Sequence, residues 1–501
     1  MNRKIYQKVV SLLSAKNFFL FLVALFVVQA VWIALSGRYP MAFDEDFHLG
    51  IIKLYVNQWS PFFVHQPSGS NVFGELTRDP SYVYHYIMSF PYRLTNSLFH
   101  NEFINIMTLR FFSIGFVVSG LFIFRRVLEY TKASAALINV VFLFFILTPL
   151  VTFEAAQINY DNMLIPLVGL AILWSLQFVT DLKQTGRFNS VLLLSTLSLC
   201  IFASLVMYLF LPLFVVILFY LLVNTLYFYK GRGQVLANIW HGAVKSFLTY
   251  SKIVRIATAS IFIIASGLFL QMYGYNLVKY HEPVPDCAQV LSANDCRSYG
   301  VWNRDFMYVQ TKTTVSKNPI VFTGSWMSTY FCSFFFPING SFSGFQLLKS
   351  PAPIYWTSLT IFWTGIALTI IFARRIFNTH VMIFIGALMM ALLVALWLNN
   401  YSDYIHLGQH VAEQGRYVLI VLLPVYCIVA LAFKRLLEHH NFLKTGVFVL
   451  VFVLFMQGGG IITYIVGTDP SWWWQNDSLP TKLNESASKV IKPVIIDSKL
   501  N

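Results

Sequence analysis

Three carboxylates open the first polar stretch of the chain, in Phe43-Asp44-Glu45-Asp46-Phe47-His48, just after an apolar run that ends near Ser36. If that run is a helix, its C-terminal dipole end is partly negative, and the acids also repel one another. Both effects favour proton uptake, so Asp44 or Glu45 is suited to act as a general base. The plainer alternative is a solvated acidic cap, with Asp46 as the N-cap of a short helix. In a helix over 44–48, His48 lies one turn from Asp44, within hydrogen-bonding reach.

A second polar loop reads Glu154-Ala155-Ala156-Gln157-Ile158-Asn159-Tyr160-Asp161-Asn162 and runs directly into apolar sequence. Asn159 or Asp161 is placed to cap the helix that follows, and Pro166 suits an early helical turn, so capping outweighs binding here. The third segment, Glu413-Gln414-Gly415-Arg416-Tyr417, sets an arginine at a helix N-terminus, where the macrodipole disfavours a cation. Glu413 is one local counter-charge. A phosphate is the other, gripped by the planar fork of Arg416, with Gly415 permitting close backbone approach. At a membrane surface such a phosphate belongs to a lipid head group.

A base for a hydroxyl and a cation for a departing phosphate are what sugar transfer from a polyprenyl phosphate requires. Phosphate leaves readily, so no second protonating acid is needed. A placed base contributes about 10²–10⁴-fold, and one charge-stabilising donor about 10²–10³-fold. Arg110 serves either as a further site cation or as half of a buried pair with an acid such as Glu102. His406 and His410 have i,i+4 spacing but no third ligand at matching spacing, which disfavours a metal.

The elements that carry these groups are membrane helices. Of 501 residues, 57% are hydrophobic and only 11% charged, against roughly 25% charge in a soluble domain. The net charge of +14 comes without a basic stripe on a nucleic-acid-reading fold, so a nucleic-acid partner is not expected. Apolar stretches near the length needed to span occur at 17–36, 103–124, 134–150, 162–180, 256–275, 354–373, 380–398, 417–433 and 443–466. The unbroken stretch 189–229 is too long for one helix and divides near Tyr208 and Pro212, giving about eleven spans. The first run follows Arg3, Lys4, Lys8 and Lys16 and reads as an uncleaved anchor.

Charge sets the orientation. The segment 230–255 holds Lys230, Arg232, Lys245, Lys252 and Arg255 and no acid, which places it in the cytoplasm and requires two helices in 189–229. With the N-terminus inside, 19 of the 35 Lys and Arg but only 3 of the 21 acids are cytoplasmic. The chain then divides into an N-terminal membrane module (1–275) with the acidic loop 37–102, an external region (276–353), C-terminal membrane helices (354–466) and an external tail (467–501). Loop 37–102 contains two interfacial-looking helices, one over 46–59 with Phe47, Ile51, Ile52, Tyr55, Val56 and Trp59 on one face. Trp472, Trp473 and Trp474 read as an anchor at headgroup level. Cys200 and Cys427 read as small hydrophobes, whereas Cys287 and Cys296 are spaced for a local disulfide outside the cytoplasm. Asn339-Gly340-Ser341, Asn476-Asp477-Ser478 and Asn484-Glu485-Ser486 match glycosylation triplets, which are frequent by chance.

Asp44-Glu45 after the first helix, Leu109-Arg110-Phe111-Phe112-Ser113 opening the second, and Asn159-Tyr160-Asp161 before the fourth together resemble the C-type glycosyltransferase superfamily. That superfamily includes protein mannosyltransferases and aminoarabinose transferases of lipid A, and Gln414-Gly415-Arg416-Tyr417 is similar to a less characterised bacterial branch. The resemblance implies an all-α polytopic fold with interfacial helices in the first external loop. It also implies inverting transfer from a polyprenyl-phosphate sugar to a cell-surface glycan or lipid, at the external face of a bacterial inner membrane. By that analogy Asp44 matches the base and Asp161 a second functional acid. Arg416, Tyr417, Asp161, His48 and Arg110 are the expected donor and phosphate contacts, with no metal or other cofactor. The competing readings are a flippase for lipid-linked sugars, which would need polar groups at the bilayer midplane, and a surface-polysaccharide polymerase.

Overall fold

The computed structural model describes residues 3–41, 44–230, 234–311, 315–335, 352–438, 440–458, 464–465, 472–474 and 478–496. Among them the regular structure is helical, with a single isolated β-bridge between Gly37 and Trp473. The chain is an all-α polytopic membrane protein.

An amphipathic helix, α1 (Arg3–Ser14), lies against the bundle and leads through Ala15 into the first long apolar helix, α2 (Lys16–Ser36). The polar loop that follows carries α3 (Glu45–Leu54) and α4 (Val83–Phe99). α5 (Glu102–Tyr130) is capped by the side chain of Asn101, which accepts from the Ile104 N–H at 3.3 Å. α6 (Ala135–Leu147) and α7 (Pro149–Ala155) form a pair bent by 68° at Thr148, because Pro149 cannot continue the hydrogen-bond ladder. α8 (Tyr160–Thr185) is the most enclosed of the candidate spans, packed by α5, α9 (Ser190–Val206), α10 (Leu211–Tyr229) and, later in the chain, α21 (Leu419–Leu436).

α11 (Val235–Thr249) connects to α12 (Lys252–Phe269), which continues through a π turn at Leu270–Gly274 into α13 (Tyr275–Tyr280). Two one-turn helices, α14 (Cys287–Val290) and α15 (Ala293–Cys296), are joined by a Cys287–Cys296 disulfide. α16 (Gly300–Gln310), α17 (Pro319–Phe335), α18 (Ala352–Ile371), α19 (Ala373–Ile376) and α20 (His380–Leu407) follow. A 3₁₀ turn, Gly415–Val418, opens α21 (Leu419–Leu436), and α22 (Asn441–Gly458) and α23 (Leu479–Ile496) complete the described helices.

Seven of these helices are long and apolar enough to cross a bilayer, or eight if α6 and α7 form one span. Ser190–Val206, Leu359–Ile371 and Leu443–Val453 are apolar but shorter, so the described residues supply fewer qualifying spans than the eleven expected. The outer faces are apolar, as with Phe219 on α10 and Ile253, Ile261 and Ile264 on α12, which suits contact with hydrocarbon. α5 and α8 approach closely enough that a Cβ on Gly120 would lie 2.6 Å from Cγ2 of Ile165, a small-residue contact typical of membrane helices.

Several expectations are corrected. Helix α3 stops at Leu54 rather than reaching 59, and exposed Trp59 instead stacks beneath the Arg93 guanidinium at 4.6 Å. Trp472 and Trp473 are buried in the protein rather than open to lipid: the Arg38 N–H donates to the Trp472 carbonyl (2.7 Å) and the Trp474 N–H to the Ser36 carbonyl (3.0 Å). The tail thus pins the end of α2, which the apolar character of tryptophan alone does not distinguish from interfacial anchoring. Asn484 is buried and accepts from the Trp32 indole at 2.7 Å, so it is not presented for glycosylation. Asn339 and Asn476 lie outside the described residues. Cys200 and Cys427 are buried and free.

Candidate functional site

The end of α2, helices α3 and α4, the N-termini of α5 and α8, the start of α10 and the turn before α21 gather at one end of the bundle. Glu45 and Arg110 form the centre of that end, both fully buried. Glu45 Oε1 accepts from Arg110 Nε (2.8 Å) and the Ile158 N–H (3.1 Å), while Oε2 accepts from Arg110 Nη2 (2.8 Å) and the Met41 N–H (2.7 Å). The remaining Arg110 donors go to the carbonyls of Ala34 (2.8 Å), Gly37 (2.6 Å) and Arg38 (3.4 Å). Five N–H donors and four carboxylate lone-pair positions are therefore occupied, and one knot ties α2, α3, α5 and the loop before α8 together. Arg110 pairs with Glu45, not with Glu102, which instead meets Lys53 at the surface (2.6 Å). With every donor engaged, the Arg110 guanidinium is not open to a phosphate, contrary to the expectation from sequence.

One residue earlier the environment reverses. Asp44, not Asp46, is the residue flanking the start of α3, and it sits in the left-handed region (φ 68°) without a side-chain cap. That conformation is uncommon outside glycine, although aspartate tolerates it better than most; such outliers are held by their surroundings and gather at functional sites. The half-exposed Asp44 side chain turns to Arg416, with Oδ2 2.8 Å from Nη2. Arg416 itself is buried, and Nη2 also reaches the Tyr417 hydroxyl (3.3 Å). Its partner is thus an acid 372 residues away in sequence. Glu413 is not the counter-charge; it accepts from His410 instead (2.7 Å), whose ring stacks on Phe322.

The turn carrying Arg416 is held from below. Ser333 Oγ on α17 accepts from the Gly415 N–H at 2.7 Å, and a Cβ on residue 415 would collide with that hydroxyl. Asn400 on α20 accepts from Trp326 Nε1 (3.0 Å) and the Tyr330 hydroxyl (3.1 Å) and donates to the Val411 carbonyl (3.1 Å). Glycine at 415 is therefore required by packing against α17.

The loop before α8 is wholly buried. Asn159 caps α8 by accepting from the Asp161 N–H (3.0 Å), and Asn162 donates to the carbonyls of Glu154 (2.8 Å) and Gln157 (3.2 Å). With Asn159 as cap, the Asp161 side chain is released from that task. Both Asp161 oxygens are buried without a hydrogen-bond partner, as is Glu154 Oε1, while Glu154 Oε2 accepts from Gln157 (2.7 Å). Both acids lie within electrostatic range of Arg416, and Asp161 is also within range of Asp44.

His48 differs from expectation. Its backbone N–H meets the Asp44 carbonyl (2.9 Å), but its ring Nδ1 faces His85 Nε2 at 2.9 Å, and Tyr160 packs edge-on at 4.5 Å. Burial first, then His85 and Arg416, hold the His48 imidazole well below its usual range. Burial likewise pushes His85 down to about 3. Two neutral rings sharing one proton-mediated contact offer a phosphate no positive charge.

Sequence reasoning did not single out His85, Ser333, Asn400, Tyr299, Glu75 or Asp79, and it read Glu154 only as the opening of a polar loop and Tyr208 only as a helix break. Tyr299, from the disulfide-bonded loop, stacks on Phe47 at 6.2 Å. Tyr208, at the break between α9 and α10, is half exposed and lies within electrostatic range of Asp79 and Arg416. Burial, followed by Asp79, pushes the Glu75 carboxyl up to about 7. No shared local pattern marks these residues, since they come from several separate loops and helices.

No family model matches the chain, and no curated protein matches it. Among solved structures it is similar to the crystal structure of ArnT from Cupriavidus metallidurans bound to undecaprenyl phosphate. The similarity covers 79% of this chain and 78% of that one, at 12% identity and a TM-score of 0.32. The function is therefore read from the chain's own residues.

Proposed function

We propose that this chain is a membrane glycosyltransferase that moves a sugar from a polyprenyl-phosphate donor to a hydroxyl of a glycan or lipid acceptor. The N-terminus is cytoplasmic and the site faces outward from a bacterial inner membrane. The observation that carries this reading is the Asp44–Arg416 pair: an accessible carboxylate and a buried guanidinium, brought to one point from opposite ends of the chain at 2.8 Å.

In the resting site Asp44 and Arg416 neutralise each other. An entering donor phosphate competes for Arg416 and the Tyr417 hydroxyl and frees Asp44. The acceptor O–H then loses its proton to Asp44 as its oxygen bonds to the anomeric carbon. The bond from that carbon to the phosphate oxygen breaks, and the electron pair leaves on the polyprenyl phosphate. Attack opposite the leaving group inverts the anomeric centre. The unpartnered oxygens of Asp161 and Glu154 suit sugar hydroxyls, because a buried acceptor left unpaired costs about 1–3 kcal/mol. Glu45 and Arg110 act as positioning residues, and no metal is required by this scheme.

The test is transfer of label from undecaprenyl-phosphate pentoses and hexoses in proteoliposomes that contain envelope acceptors, read by mass spectrometry. Asp44→Asn is expected to lower turnover about 10²–10⁴-fold, and Arg416→Ala about 10²–10³-fold, with insertion unchanged. A flippase would still translocate its lipid with Asn at position 44, and a polymerase would not need that acid. Label that never leaves the carrier with any acceptor overturns the reading.

A further inference from the structure

The end of the bundle opposite Asp44 carries a helix for which sugar transfer has no use. α8 runs away from Asp161, α9 returns towards Tyr208 and α10 leaves again, so α11 and the first turn of α12 lie at the far end. α12 then comes back to bring Tyr275 beneath Arg78 at 4.0 Å. α11 presents three faces. Val235, Ile239 and Ala243 pack on the bundle. Leu236 (77% exposed), Trp240 (69%), Val244 and Leu248 (59%) form a ridge at i,i+4 spacing directed away from it. Asn238, His241, Lys245 and Thr249 fill the third face. A helix with an apolar ridge beside a polar side lies along a membrane interface, the ridge among acyl chains.

The charge carried by this stretch of chain has one sign. No Asp or Glu occurs between Asp181 and Glu282. Among the described residues, Arg187, Lys230, Lys245, Lys252 and Arg255 form no ion pair. Lys252 and Arg255 stand in the first turn of α12, where the dipole adds positive potential, and Arg255 Nε is buried without a partner. Uncompensated cations at the level where an apolar ridge meets a polar side match a phosphate attached to acyl chains.

We propose that α11 and the first turn of α12 form a docking surface for anionic glycerophospholipids in the leaflet opposite Asp44. This inference is independent of the sugar-transfer reading.

The test is native mass spectrometry of the purified full chain in detergent, titrated with equal amounts of phosphatidylglycerol and phosphatidylcholine of matched chains. The wild type is expected to retain the anionic lipid preferentially. Each neutralised cation, as in Lys245→Gln, Lys252→Gln or Arg255→Gln, is expected to weaken retention roughly fivefold, and the triple variant to bring the ratio near one. Trp240→Ala is expected to lower retention of both lipids and leave their ratio unchanged. Should the triple variant misfold, raising the salt on the wild type from 0.15 to 0.5 M supplies the same reading, since screening must shrink the preference. Equal retention of the two lipids by the wild type overturns the proposal. So does a preference that the variants or salt leave intact, or one abolished by soluble glycerol phosphate at equal concentration, which would mark a phosphate site. Displacement of the anionic lipid by an acidic cytosolic protein would assign the surface to that partner and also overturn it.

Discussion

Asp44 and Glu45 are chemically near-identical neighbours whose surroundings assign them opposite work. Glu45 is saturated by four donors, and truncating one member of a buried pair costs about 3–5 kcal/mol. Glu45→Gln is therefore expected to lower the thermal unfolding temperature markedly. Asp44→Asn changes a half-exposed side chain and should melt nearer the wild type; equal losses for the two would contradict this division. The His48–His85 pair makes stability depend on pH. Both rings titrate near 6.5 when unfolded but well below that when folded, with His85 at about 3. Below pH 6.5 the unfolded chain binds protons that the folded chain does not. The pair's contribution is thus complete above that pH and declines as pH falls towards 3, by up to ~1.4 kcal/mol per pH unit per histidine. Glu75 works in the other direction, since its raised value makes the fold gain on acidification from 7 towards 4.5. The histidine effect is therefore read as the difference between the wild type and a His48→Gln/His85→Gln variant from pH 7 to 5, and parallel curves would refute it.

At the scale of elements, the site depends on two close approaches. Gly120 lets α5 lie on α8, which aligns Arg110 on the one with the loop that precedes the other. Gly120→Leu should force the helices apart and destabilise the protein by about 1–3 kcal/mol, measured as denaturation in detergent. Gly415 does the same for the turn that carries Arg416, seated on Ser333. Gly415→Ala is expected to shift the guanidinium and reduce turnover by roughly tenfold or more, as small misplacements of positioning groups do. Wild-type turnover with alanine there would mean that α17 does not position the turn.

For the whole molecule, sidedness is the open quantity with a direct readout. In the proposed orientation Asp44 is outside and α11 inside. A membrane-impermeant maleimide should label Trp59→Cys in intact cells and Lys245→Cys only after the membrane is opened. The reverse pattern would place the site in the cytoplasm and remove access to an outward-facing acceptor. Burial of Trp472 and Trp473 belongs to the same scale, since the far end of the chain returns to close the end of α2.

The amino-acid sequence by itself determined that this is a helical membrane protein, where most long helices run, and which polar loops hold the acids and Arg416. It did so because hydrocarbon imposes its demand segment by segment: each span must satisfy its own backbone and be apolar over its own length. The break at Tyr208 and the cap at Asn159 were legible for the same local reason. The partner of each charge was not. Arg110 had Glu102 nearby and Arg416 had Glu413, yet the buried pairs are Arg110–Glu45 and Arg416–Asp44. Which carboxylate meets which guanidinium is decided by how helices pack, and packing here joins residues 65 and 372 positions apart. Only the tertiary structure separated Asp44 from Glu45, neutralised His48 against His85, and buried the tryptophans of the tail.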